Sequence, residues 1–201
     1  MPVLEVCQLR LKDNISATDE VLLKNLSAVR SIIKTNSQFY HCLEDPTRIY
    51  ILGIWPTLEA HQAFLASAEK EDILGIQDDQ LEFQWMIHMG LDSMASLPLD
   101  APVMAIARLF IKDGGHADAY ARLVANHRSL IVDATKPYKV VDGWRCDLEP
   151  GKHEALMFTG WESVEAHKAF TAKAREENEE YATVRDHYEG MEVRHARNME
   201  R

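Results

Sequence analysis

The chain has 201 residues and a formal net charge of −10, which argues against a phosphate-binding surface and so against nucleic acid as a partner. Its three cysteines, Cys7, Cys42 and Cys146, lack CxxC spacing and read as reduced thiols of a cytoplasmic protein. No apolar run is long enough to span a membrane, and Met1 to Glu5 lacks the charged-then-apolar pattern of a signal peptide.

Val3 to Lys12 predicts a strand, with Val3, Cys7, Leu9 and Leu11 on one face and Leu4, Val6 and Gln8 on the other. Both faces are largely apolar, so the strand should be covered on both sides. Ser16 to Lys34 predicts a helix with Ser16 or Thr18 as N-cap. Leu22, Leu26, Val29 and Ile33 form its apolar stripe. Gln38 to Leu43 and Arg48 to Ile54 read as strands on either side of Glu44-Asp45-Pro46. Thr57 caps a second helix, a shorter helical piece follows near Glu71, and Leu81 to Met89 is a fourth strand. Residues 93–101 lie in a Gly-, Ser- and Pro-containing stretch and read as a linker.

The order then recurs. Val103 to Lys112 is a strand, Gly115 to Ala134 a helix, and Trp144-Arg145-Cys146 matches Tyr40-His41-Cys42. Ala155 to Gly160 is a strand, Ser163 caps a helix, and the acidic Arg175 to Glu180 segment reads as a solvated helical face. Met191 to Arg197 is the final strand. The strongest match joins Trp55-Pro56-Thr57-Leu58-Glu59-Ala60-His61-Gln62-Ala63-Phe64 to Trp161-Glu162-Ser163-Val164-Glu165-Ala166-His167-Lys168-Ala169-Phe170. The expected fold is α+β: two ferredoxin-like βαββαβ repeats, 1–92 and 102–201. Their apolar sheet faces would cover each other as an intramolecular, pseudo-dimeric α+β barrel.

A strand ending in Trp, followed by Ser/Thr-x-Glu-Ala-His on a helix, resembles the antibiotic-biosynthesis monooxygenase (ABM) family of dimeric α+β barrels, here in a fused tandem form. The resemblance implies a superfamily of cofactor-free oxygenases of aromatic polyketides, haem degraders, isomerases, decarboxylases, cyclases and stress-related proteins. It also implies a ligand between the sheet and the helices of one half. The haem-degrading subset usually carries an Asn on the first strand, a Trp on the second-repeat helix and a downstream His. Cys7 or Ala107, and Phe64 or Phe170, stand at the first two of those places, which argues against haem degradation.

No HExxH, paired His/Cys spacing, P-loop or GxGxxG is present, so neither a metal nor another cofactor is indicated. His61 and His167 face the sheet from the repeated helix, as general acid/bases or as buried histidines hydrogen-bonded to a strand carbonyl. The second half also differs from the first. His127 replaces Val29, and Arg108 replaces Gln8. His195 stands at the place of Ile87 or, with a one-residue slip, of His88. The catalytic candidates are therefore His127, His167, Arg108 and His195. The bland alternatives are a His127 that tilts to solvent and an Arg108 in an internal ion pair. Trp144, Trp161, Phe170 and Tyr120 are candidate walls for a flat aromatic ligand, although most such rings are core. The reading is a cofactor-independent monooxygenase acting on an aromatic, phenolic polyketide of secondary metabolism, with dioxygen as co-substrate and the pocket in the second half. A non-oxidative decarboxylase, cyclase or isomerase, or a non-catalytic ligand-binding or stress protein, stand as alternatives. Homo-oligomerisation is left open.

Overall fold

The computed structural model describes residues 1–201. The chain packs as two compact units. The first contains Met1–Met94 together with Ala196–Arg201, and the second contains Ala95–His195.

In the first unit, β1 (Val3–Leu11) pairs antiparallel with β3 (Arg48–Trp55) on one side and β4 (Leu81–Gly90) on the other, and β2 (Gln38–Cys42) pairs with β3. The helix α1 (Glu20–Ile33) starts at Asp19, not at Ser16 or Thr18. The Asp19 carboxylate accepts from the backbone N–H of Val21 and Leu22, both at 2.9 Å, satisfying donors that a helix start leaves bare. Leu22, Leu26 and Val29 form its buried face. Of these, Leu22 and Leu26 pack with Leu11, Phe39, Ile49 and Leu81 into a closed apolar layer between helix and sheet. Two shorter helices, α2 (Leu58–Leu65) and α3 (Glu69–Leu74), precede β4. Thr57 caps α2 by accepting from Ala60 N–H at 3.1 Å.

In the second unit, β5 (Val103–Ile111) and β6 (Val140–Trp144) flank β7 (His153–Trp161), again antiparallel. The long helix α4 (His116–Thr135) covers them, with Tyr120 packed on Leu109, Ile111 and Ala155. Its N-cap position is Gly115 at φ 88°, a left-handed conformation that suits glycine. Ser163 caps α5 (Val164–Glu177) as Thr57 caps α2. The acidic segment expected as one helical face is broken instead. Asn178 ends α5 and caps the short α6 (Glu179–Ala182), its side chain accepting from Tyr181 N–H at 2.8 Å.

The expectation of two ferredoxin-like repeats closing sheet against sheet is corrected. All eight strands join one sheet in the order β4-β1-β3-β2-β8-β5-β7-β6, which defines one large α+β fold. The physical reason is the length of β8 (Tyr188–Asn198), which at 11 residues extends past the second unit's strands. Its end pairs antiparallel with β2 through Tyr40↔Asn198, His41↔Arg197 and Cys42↔Ala196. The edge of β2 that a separate repeat would leave bare is therefore consumed. No helix is long and apolar enough to cross a membrane.

Candidate functional site

A cleft of about 230 Å³ opens between α4 and the β6–β7 end of the sheet. Strand register explains its walls. Trp144 opposes Ala155, and Ala155 opposes Leu109, so all three side chains rise toward α4. Tyr120, Ala121, Val124, Ala125 and Arg128 line the cleft from the helix, one face at helical spacing. Asp142, Gly143, Trp144, Ala155 and Leu156 line it from the sheet. The Tyr120 and Trp144 rings meet edge to face, with centroids 5.7 Å apart and planes at 69°. Tyr120 is buried and Trp144 partly exposed, so the aromatic pair runs from the core to the opening. Burial, with Tyr181 and Tyr188 adding to it, pushes the Tyr120 hydroxyl well above its usual range, so it stays protonated. At the rim, Arg128 Nη1 bonds Asp142, and Nη2 donates to the Val140 carbonyl at 3.2 Å. Both side chains of this ion pair reach solvent, so the pair contributes little to stability and can be rearranged at small cost.

Of the residues named from the sequence, Tyr120 and Trp144 come together in this cleft. A second group meets elsewhere in the same unit. His167 Nδ1 lies 2.9 Å from His195 Nε2, Trp161 stacks on His167 at 4.7 Å, and Phe170 packs on Trp161. Trp161 Nε1 donates to Thr159 Oγ1 at 2.7 Å. The pairing places His195 with His88 rather than Ile87, because His61 Nδ1 meets His88 Nε2 at 2.8 Å in the same way.

His127 and Arg108 join neither group. His127 Nε2 stands 3.2 Å from Glu180, too poorly aligned for a hydrogen bond, and its ring meets Tyr181 edge-on. Arg108 does not enter the helix–sheet layer. It opposes Leu156, one residue out of phase with the Leu109–Ala155 pair beneath α4, and so lies on the other sheet face. There its Nε donates to buried Glu154 at 2.5 Å, and Arg145 Nη1 donates to the other carboxylate oxygen at 2.9 Å. The carboxylate is shared between two guanidinium groups, which satisfies the demand that a buried charge be paired.

The sequence reading missed two groups. Arg128 and Asp142 were not singled out, because a rim arginine on a partly solvated helix and a rim carboxylate in a short strand carry no periodic signal. The other omission is Glu5, a lone acid on an otherwise apolar strand face, which could have been flagged on that ground. It is buried in the first unit and accepts from Trp55 Nε1 at 2.5 Å. Burial raises its pKa from 4.5 to about 7, against the Trp55 hydrogen bond and His88, which pull it down. Trp55 stacks on His61 at 4.2 Å. Burial, then His88, lowers the His61 pKa to about 4, so its 3.8 Å approach to Glu5 is not an ion pair at neutral pH. The second unit has Ala105 in place of Glu5.

No known protein family model matches this chain, and no curated protein matches it in sequence. Solved structures do match. An anthrone oxidase-like protein superposes with a TM-score of 0.67 at 15% identity, covering 98% of this chain and 91% of its own. A protein provisionally named a chlorite dismutase gives 0.65 at 13%, with coverage of 98% and 94%. A protein from Lactobacillus acidophilus NCFM, provisionally named a monooxygenase, gives 0.58 at 12%, with the same coverage. At these identities the likeness establishes the fold alone, the α+β fold that these solved structures share. It leaves the chemistry to be argued from the side chains.

Haem is one group that the resemblance raises, and the cleft lining tests it. The lining contains no His, Cys or Met, and its one phenol, Tyr120, is held protonated and packed against Trp144. The cleft is also smaller than the roughly 300–1,000 Å³ of a drug-sized site. The residues of this cleft do not fit haem. No group of three or more His, Cys, Asp or Glu side chains converges elsewhere as a metal site.

Proposed function

We propose that the protein is a small-molecule oxygenase of the ABM-like kind, acting without a bound cofactor on an electron-rich phenolic aromatic of polyketide type in the α4–β6–β7 cleft. The observation that carries this reading is the cleft itself: two aromatic walls and an apolar floor, with one guanidinium–carboxylate pair at the rim. The anthrone oxidase-like and monooxygenase-named neighbours support it at the level of fold. Asp142 offers a carboxylate to receive the phenolic proton, and Arg128 faces the oxyanion that forms. Tyr120 donates a further hydrogen bond, and the rings exclude water from an anion that can pass electrons to dioxygen. The balance is a phenolic ring C–H and dioxygen giving a quinone and water. His127, His167, His195 and Arg108 lie outside the lining, so the reading gives them no contact with the ligand.

The test is oxygen uptake by the purified protein with a panel of phenols and anthrones, in air and under argon. Oxygen-dependent product supports the reading. Product formed equally under argon would replace it with a lyase or isomerase, and binding without turnover would replace it with a ligand-binding protein.

A further inference from the structure

The first unit carries the same helix–sheet layer with its space filled, and register allows a residue-by-residue comparison. Ile49 opposes Leu9 as Ala155 opposes Leu109. His41 opposes Ile49 as Trp144 opposes Ala155, which corrects the sequence match of Trp144 to Tyr40 by one residue. Two residues earlier on these strands stand Phe39 and Asp142. The arginines agree: Arg30 donates to the Ser37 carbonyl and Arg128 to the Val140 carbonyl, each two residues before that position. Phe39 and Ile49 thus correspond to Asp142 and Ala155.

In the first unit Phe39 and Ile49 are fully buried, and the Arg30 guanidinium lies over the Phe39 ring, 4.8 Å from its centroid. In the second unit that ring is replaced by a carboxylate and the branched chain by a methyl group. The arginine turns onto Asp142, and the cleft opens. The lost side chains are comparable in size with the space that appears.

We propose that the ligand is a single-ring phenol whose ring takes the seat that Phe39 fills in the first unit. It lies beneath the Arg128 guanidinium, and its hydroxyl donates to Asp142. This rests on the cleft being the substrate site, and it narrows the substrate from polyketide aromatics in general to one ring with a short substituent. The guanidinium supplies the attraction that Arg30 gives its own ring, and the carboxylate takes a charge-assisted hydrogen bond. A fused tricycle is larger than the single ring that the exchange of Phe39 for Asp142 removes.

Calorimetric titration of the wild-type protein with p-cresol, 2-naphthol and anthrone tests this, alongside Ala155→Ile, Asp142→Phe and Asp142→Asn. The expected result is one p-cresol per chain, at least about tenfold tighter than anthrone. Ala155→Ile and Asp142→Phe refill the seat, keep the far-UV dichroism of the parent, and weaken p-cresol about tenfold or more. Should either refilled variant fail to fold, Asp142→Asn keeps the space and still weakens p-cresol severalfold. Anthrone binding as tightly as p-cresol, unchanged p-cresol affinity in the folded variants, or no p-cresol binding to the wild type would each overturn the proposal. Binding as described with no oxygen uptake would sink the oxygenase reading and leave this one standing.

Discussion

Glu5→Gln should make the protein more stable above neutral pH and leave it unchanged in acid. The Glu5 carboxyl is buried against Trp55 and His61, with Cys7 two residues along the strand and His88 opposite it. Its folded pKa of about 7 exceeds the ordinary carboxyl value of 4.5, so the folded state binds the proton more tightly than the unfolded state. Stability from this group is complete below pH 4.5, is lost as pH rises toward 7, and is flat above that. At about 1.4 kcal/mol per pKa unit, the ionised carboxylate costs the fold roughly 3 kcal/mol at pH 8. Glutamine keeps an oxygen for Trp55 Nε1 and never ionises. The gain approaches that figure at pH 8, less whatever its amide N–H₂ costs beside His61, and vanishes near pH 4. His61 works in the opposite sense: its depressed pKa removes stability as pH falls from 6.5 to about 4. Both proteins share that loss, so it cancels in the difference. Urea unfolding of both proteins at pH 4, 6 and 8 measures the effect. A difference that does not grow between pH 4 and pH 8 would refute the buried-carboxylate argument.

Glu154→Ala should cost about 3 kcal/mol or more in chemical denaturation, because Arg108 and Arg145 lose the buried carboxylate they share; a loss below about 1 kcal/mol would show that Glu192, 3.7 Å from Arg108, and Asp147, 2.5 Å from Arg145, already suffice. Trp144→Ala should remove one wall of the cleft and weaken p-cresol severalfold while changing thermal stability little, since the ring is partly exposed. Thiol labelling of the native protein should find Cys146 first, because it is exposed. Cys7 should react last, since burial and then Glu5 push its thiol pKa up; denatured protein should give all three, and prompt labelling of native Cys7 would contradict the burial.

The elements were legible where periodicity is strong. The alternation from Val3 and the Leu22–Leu26–Val29 stripe place β1 and α1, and both motif helices start at their expected caps, Thr57 and Ser163. What failed was information held between strands. Whether Trp144 aligns with Tyr40 or His41 depends on β6–β7 register, and a one-residue slip sends a side chain to the other face. Arg108 could not be assigned a side of the sheet, because both faces of β5 are largely apolar and the pattern does not say which one meets α4. Residues 188–198 as a strand shared by both units could not be read from the final strand's own pattern, because pairing with β2 is non-local. The cleft was half legible. Tyr120 and Trp144 follow from aromatic character, whereas the space between them comes from what Ala155 and Asp142 lack.

The position of residues 196–201 within the first unit has a consequence for synthesis. β2 has no partner on its β8 side until the segment carrying Ala196, Arg197 and Asn198 has been made, more than a hundred residues after β3. The Arg30 guanidinium, which grips both carboxylate oxygens of Glu200, waits equally long. During translation the first unit is thus held with an open strand edge while the second is built. A fragment ending at Met94 should therefore be prone to self-association, and a synthetic peptide of residues 188–201 added in trans should suppress it.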